Sequence, residues 1–409
     1  MLPQTVFLEL MNRFLHPQHP LPDLDGLSPE ELNRLLQLGM AHSVYPVVFD
    51  AVRTCAAFRA LPDQVRQTET AGCRRLVLGQ AVRTSQFTGV YQHLLRGGVT
   101  PLVVKGLVLR SLYDQPDYRA SSDEDLLVRK EEFFRLDELL TELGFTRELG
   151  DHPLEEHEIP YWNAQRGLHL EIHLTLFPED SGAYGYLNGA FRDVFGRQVT
   201  EQIQGVGIHT LDWTDHMLYL ICHSLKHFLH GGFGIRQVCD MVKFAECRGS
   251  RIDWDRLEDR TRELGIYIFW QNLADIGERY LGLDRSRAGL ERPRDLEPDS
   301  DAMLADLLDS GIYGKRTEER VHSSNVTLQA AAGSRSGGGL GRAMFPELSY
   351  MKIRYPYLQR HRWLLPVAWG QRLIGYVRRS GSREIASTVD LGRHRVELLR
   401  QYGLVQDRQ

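Results

Sequence analysis

The 409-residue chain is poor in several features that would assign it early. It has five cysteines, at Cys55, Cys73, Cys222, Cys239 and Cys247, with no C-x-x-C pair. An odd, scattered set excludes a disulfide framework and a thiolate zinc site, and implies free thiols in a reducing, cytoplasmic setting. No run of about 18 uncharged apolar residues occurs, so no membrane span is expected. Met1 to Leu15 lacks the basic and then apolar order of a signal peptide. Basic excess is also missing: 49 Lys and Arg face 54 Asp and Glu, a net charge of −5. Global charge therefore announces no nucleic-acid binder, although it leaves a local basic groove open. There is no internal repeat.

What is present is a change of texture along the chain. Residues 1–95 read as helical. Ser28-Pro29-Glu30-Glu31 has the form of a capping box with proline at the first helical position. Residues 62–95 have the pattern of a long amphipathic helix ending near Gly97-Gly98. Residues 96–210 read as a small α/β core. Val99 to Val104 is a short buried strand, broken by Lys105-Gly106, and a short helix runs from Leu107 to Tyr113. A second strand lies around Asp123 to Val128, a helix spans Glu131 to Leu143, and Leu168 to Leu174 alternates as a third strand. Residues 211–409 return to helix. A helix starting near Trp213 is capped by Asp212 or Thr214, and Arg292 to Ser300 is a loop or linker. A mobile glycine-rich loop is expected near 331–342, with helices after Pro346 and Pro366.

The chemistry concentrates in the core. In Ser121-Ser122-Asp123-Glu124-Asp125-Leu126-Leu127-Val128, strand alternation places Asp123 and Asp125 on one face and Glu124 on the other. Two adjacent carboxylates repel, and a divalent cation removes that cost; oxygen ligands suit Mg2+ or Mn2+. In Leu168-His169-Leu170-Glu171-Ile172-His173-Leu174 the polar face carries His169, Glu171 and His173, so Glu171 offers a third carboxylate. Upstream, Lys105-Gly106 forms a strand–glycine–helix junction. Such a turn admits phosphate to backbone N–H groups, with Lys105 as a point charge. A solvated lysine at a strand end is the plainer reading of Lys105.

Further candidates are less specific. Arg119 is either a turn arginine paired with Asp117 or a functional cation. His173 is either a satisfied sheet residue or a ligand. His223, His227 and His230 share a helix face with Lys226 nearby; that face lines a nucleotide pocket or is structural. Its H-x-x-x-H spacing lacks the glutamate of a catalytic zinc helix. The basic, aromatic stretch from Lys352 to Trp363 reads as an amphipathic helix rather than a nucleic-acid or membrane surface.

In this order, the junction, acid pair and later acid resemble the polymerase-β-like nucleotidyltransferase superfamily. More narrowly, the chain is similar to a bacterial group of uncharacterised nucleotidyltransferase-like proteins. Lys105-Gly106, Leu112-Tyr113, Arg119, Asp123-Glu124-Asp125-Leu126-Leu127-Val128 and Glu171-Ile172-His173 carry that resemblance. So do His223-Ser224-Leu225-Lys226-His227 with Asp240, Phe345-Pro346 and Tyr355-Pro356-Tyr357-Leu358. The chain departs from the superfamily at its Lys-Gly turn and at Glu124, where an apolar residue is usual; a charge there must reach solvent or a partner.

The resemblance implies an α+β fold, with a small mixed sheet flanked by N- and C-terminal helical regions. It implies transfer of a nucleotidyl group from a nucleoside triphosphate, ATP or another, to a hydroxyl. Asp123, Asp125 and Glu171 would hold two Mg2+ or Mn2+ ions and carry catalysis. Lys105, Gly106, Arg119, His173, His223, Lys226 and His227 would contact the nucleotide. The acceptor is open: small molecule, peptide, protein or RNA. Two other readings stand beside it, a glycosyl or other tailoring transferase using a nucleotide donor, and a non-catalytic nucleotide-binding or toxin–antitoxin-type regulator. Pyrophosphate release separates nucleotidyl transfer from sugar transfer, which releases a nucleoside diphosphate.

Overall fold

In the computed structural model, residues 3–147, 153–230, 232–310, 328, 355–359, 361–371 and 395–405 are described. The fold is α+β. Five helices come first: α1 (Pro3–Leu15), α2 (Pro29–Ala41), α3 (Tyr45–Val52), α4 (Ala56–Arg59) and α5 (Asp63–Arg96). The expected capping box opens α2: Ser28 Oγ accepts the Glu31 N–H at 3.2 Å, and Glu31 Oε2 accepts the Ser28 N–H at 2.8 Å. The 34 residues of α5 span about 51 Å and stop at Gly97-Gly98, as the sequence reading expects.

The sheet follows. Its strands are β1 (Leu102–Val103), β2 (Glu124–Leu127), β3 (Thr146–Arg147), β4 (Glu158–Asn163) and β5 (Leu168–His173), with α6 (Gly106–Arg110) and α7 (Phe133–Glu142) between them. Their spatial order is β1-β2-β5-β4-β3. Only β2 and β5 are parallel; the other neighbours are antiparallel, so the sheet is mixed. The strand expected over 99–104 is shorter than its apolar run. Pro101 has no N–H to offer a ladder, and pairing is confined to Leu102 and Val103. After α8 (Val194–Arg197), a hairpin of β6 (Val199–Ile203) and β7 (Val206–Thr210) turns at Gln204 and Gly205, both at positive φ. Thr210 Oγ1 ties it to the sheet by donating to the Val103 carbonyl at 2.6 Å.

Helices then return: α9 (Trp213–His230), α10 (Ile235–Arg248), α11 (Trp254–Glu263), α12 (Tyr267–Leu281), α13 (Arg285–Ala288) and α14 (Asp301–Ser310). Of the two caps considered for α9, Asp212 is the one used: its Oδ1 accepts the N–H groups of Thr214 and Asp215, each at 2.9 Å. The segment 292–300 is loop, and 365–371 is helical. The glycine-rich stretch 331–342 and the start expected after Pro346 lie outside the described residues. All five cysteines are free thiols.

Two apolar cores hold this together. One joins α1–α3 to α9–α12, with Phe7, Val48, Phe228 and Phe269 fully buried. The other fills the sheet, packing Phe87, Tyr91 and Leu94 of α5 and Leu136 and Leu140 of α7 on Leu126, Leu170 and Ile172. Among the described residues, no helix is long and apolar enough to cross a membrane.

Candidate active site

The site forms where β2 and β5 run side by side. Their register sets Asp125 beside Glu171 and Leu127 beside His173. Strand alternation then puts Asp123, just before β2, on the same face as Asp125. Ligand atoms of Asp123, His169 and Glu171 lie within 4.8 Å of one another, and so do those of Asp125, Glu171 and His173. All three expected acids therefore meet. His169 joins them; its alternation with Glu171 was visible in the sequence, but its neighbour Asp123 lies 46 positions upstream.

Asp125 is the most constrained of the set. It is 1% exposed. Its Oδ1 accepts from Lys105 Nζ at 2.9 Å and lies 3.1 Å from His173 Nε2, while Oδ2 is buried with no hydrogen-bond partner. Burial alone would raise its pKa, but Lys105 and His173 reverse that and hold it well below the usual carboxylate range. Burial likewise disfavours the Lys105 ammonium. Asp125, with help from Tyr219, Asp123 and Glu171, outweighs it and keeps Lys105 charged. Glu171 behaves in the opposite way. Burial, followed by repulsion from Asp125, Asp123 and Glu158, pushes its pKa up to about 9.

This has a consequence for stability. A carboxyl whose folded pKa lies above its ordinary 4.5 favours the fold when protonated, so its contribution is complete below pH 4.5 and lost as pH climbs through about 9. Glu171→Gln should remove that loss in metal-free protein. The expected gain over wild type is roughly 1–3 kcal/mol at the alkaline end and none at the acid end. Urea denaturation across the range checks it, and parallel curves for the two proteins would contradict the assignment.

The junction before α6 is built differently from an open phosphate turn. The Leu107 N–H at the start of α6 already donates to Glu124 Oε2 at 2.8 Å. Glu124, on the opposite strand face from the acids, also pairs with Arg110, and Arg110 reaches Ser121 Oγ at 2.6 Å. The charge in the middle of the acid pair thus has a partner, and Glu124 and Arg110 are both buried. Gly106 sits at φ +46°, and a Cβ there would lie 2.8 Å from the Glu124 carboxyl carbon. Glycine is required by both the backbone and the close approach of this carboxylate. Gly106→Ala should cost about 2 kcal/mol, read by urea denaturation, because it strains φ and displaces Glu124. An unchanged midpoint would show that the turn is not held this way.

Arg119 does not pair with Asp117. Its guanidinium grips Asp240 of α10 through Nε and Nη2, at 2.8 and 2.7 Å, and Tyr113 donates to the same carboxylate at 2.8 Å. This buried triad fastens the β1–β2 connection to the C-terminal helices. Both ends were visible in the sequence, but nothing there signals a partner 121 positions away.

From α9, His223 Nε2 lies 3.0 Å from Lys105 Nζ and 3.2 Å from His227 Nε2. Burial, then the charge of Lys105, holds His223 well below its usual pKa; the same causes bring His227 to about 3. Both rings are neutral, so His223 can accept a hydrogen bond from the ammonium. His230 bonds Tyr184 Oη at 2.6 Å instead. Lys105, Gly106, Arg119, Asp123, Asp125, His223 and His227 line one cavity of about 80 Å³. Glu171, His173 and Lys226 do not line it.

A mixed sheet carrying an acid pair beside a third acid, with a lysine at the preceding turn, is the arrangement that the resemblance to nucleotidyltransferases implies. The chain belongs to the family described as uncharacterised nucleotidyltransferase, which it matches over residues 28–282. That span runs from the α2 cap to the end of α12 and contains every site residue above. No curated protein and no solved structure matches the chain.

Proposed function

We propose that the chain is a metal-dependent enzyme that moves a nucleotidyl group from a nucleoside triphosphate to an acceptor hydroxyl. The carrying observation is the β2–β5 register, which gathers Asp123, Asp125 and Glu171 at a distance where their charges repel. The donor set fits a hard divalent cation. Oxygen ligands dominate, Asp125 Oδ2 is buried without a partner, and Glu171 is held protonated by burial and then by its acidic neighbours. Asp123, Asp125 and Glu171 would hold Mg2+ or Mn2+, with His169 and His173 within reach. When bound, such ions neutralise triphosphate charge and lower the pKa of a hydroxyl.

The remaining work falls to the chain. Lys105 presents a permanent cation beside the acids, and His223 orients it through the 3.0 Å contact. Gly106 keeps the turn bare on the side facing Glu124, so the turn does not shift as charge arrives. Arg119 and Asp240 fix α10, and hence the roof, against the sheet. The acceptor oxygen attacks the α-phosphorus, its proton passes to a carboxylate or water, and pyrophosphate leaves. The 80 Å³ cavity is smaller than the 300 to 1,000 Å³ typical of small-molecule sites. Nucleotide binding within this cavity would require the His223–His227 edge of α9 to withdraw from Lys105.

The test incubates the protein and Mg2+ or Mn2+ with α- or γ-labelled nucleoside triphosphates and separate pools of small metabolites, peptides, proteins and RNA. Transfer of the α-label with release of γ-labelled pyrophosphate supports the reading. Turnover only with sugar nucleotides, releasing nucleoside diphosphate, would replace it.

A further inference from the structure

Away from the acids, a groove of about 1080 Å³ runs along the outer face of α5 and meets the β4–β5 turn at Arg166 and Gly167. The α5 residues that line it recur every three or four positions from Asp63 to Val82, so they form one helix face. Toward its C-terminal end that otherwise polar face carries exposed aliphatic side chains. Leu78 is 65% exposed and Val82 56%, one turn apart. Gly79 lies between them, and a Cβ there would meet nothing nearer than Arg83 at 3.8 Å. Among the described residues no contact demands glycine, which costs about 1 kcal/mol in a helix interior. A bare backbone at this place admits another helix closely.

The charge on the groove is predominantly positive. Arg66, Arg74, Arg75, Arg83 and Arg166 line it against Asp63 alone, which pairs with Arg66. Among the described residues, Arg74, Arg75, Arg83 and Arg166 form no ion pair. Arg83 is half-buried; burial and the charge of Arg110 both disfavour its cation, against a smaller favourable pull from Glu124. It donates to Gln80 Oε1, which also accepts the Ser121 N–H, so the groove abuts the segment leading into Asp123.

We propose that this groove docks an acidic amphipathic helix of a protein partner. Its aliphatic residues would cover Leu78 and Val82, and its carboxylates would meet the flanking arginines, a helix-in-groove mode. From Asp63 to Val82 the groove is about 30 Å long, enough for a helix of about 20 residues. A second copy of this chain would bring the same arginines against themselves. Among the described residues nucleic acid would find no exposed aromatic ring to stack on in the groove, since Phe58 is the one aromatic lining residue and is 4% exposed.

The test uses the full chain and a fluorescein-labelled, helix-forming peptide of about 20 residues, with leucines along one face and glutamates flanking them. Controls are the same peptide with lysine for glutamate, and an oligouridylate of similar length. Fluorescence anisotropy should show saturable binding of the acidic peptide alone. Arg74→Glu with Arg75→Glu, and separately Leu78→Asp, should each weaken it at least about tenfold, or 1.4 kcal/mol. Circular dichroism melting confirms that these exposed substitutions leave the fold intact. Equal binding of the two peptides, or no effect of the substitutions, overturns the proposal. So does tighter, arginine-dependent binding of the oligouridylate. A sedimenting dimer that Leu78→Asp dissociates would assign the face to a second copy instead.

Discussion

Asp123→Asn is expected to lower metal-dependent nucleotidyl transfer by roughly 10³-fold, about 4 kcal/mol of transition-state stabilisation, while leaving the fold as stable as wild type. Asp123 is half-buried and precedes the strand, so a neutral isostere loses a ligand charge without opening the core. Asp125→Asn should lose at least as much activity and also stability, because Lys105 and His173 lose the carboxylate between them. Steady-state kinetics with thermal melts on both variants separates the effects. Activity of Asp123→Asn within about tenfold of wild type would remove this carboxylate from the metal set.

The second large effect concerns stability. Arg110 and Glu124 are both almost fully buried and are each other's charge partner. Glu124→Gln leaves the Arg110 cation in the core without its counter-charge and should cost about 3–5 kcal/mol. Glu124→Leu combined with Arg110→Met removes both charges and should recover much of that loss. A double variant no more stable than the single would mean that the Leu107 and Ser121 hydrogen bonds, rather than the ion pair, carry the stability. Urea denaturation of the three proteins decides between them.

The acids were legible because period-2 alternation survives translation into sequence. Leu126, Leu170 and Ile172 mark the buried face, and Asp125 and Glu171 follow on the other. Ser28 and Glu31 were legible for the same local reason: a cap is written within four residues. What escaped depends on distance or on a broken pattern. Strand β4 contains Pro160, which argues against a strand, yet it lies one residue beyond the last β3 pair, Arg147 with Tyr161. Glu124 signalled the need for a partner but not that Arg110, facing the same interior across α6, would provide it. The link from Arg119 to Asp240 and the meeting of His223 with Lys105 bridge more than 100 positions, and no local rule reports such a pairing.

The central claim is that these acids hold metal for a nucleoside triphosphate. It is tested most directly by thermal shift titration with each triphosphate, with and without Mg2+ or Mn2+, on wild type and on Asp123→Ala/Asp125→Ala. At 100 times its Kd a ligand stabilises the native state by about 2.7 kcal/mol, a readily measured rise in Tm. The account predicts a rise that requires the metal and disappears in the double variant. A rise that persists without metal or in the variant, or no rise with any triphosphate, would contradict it.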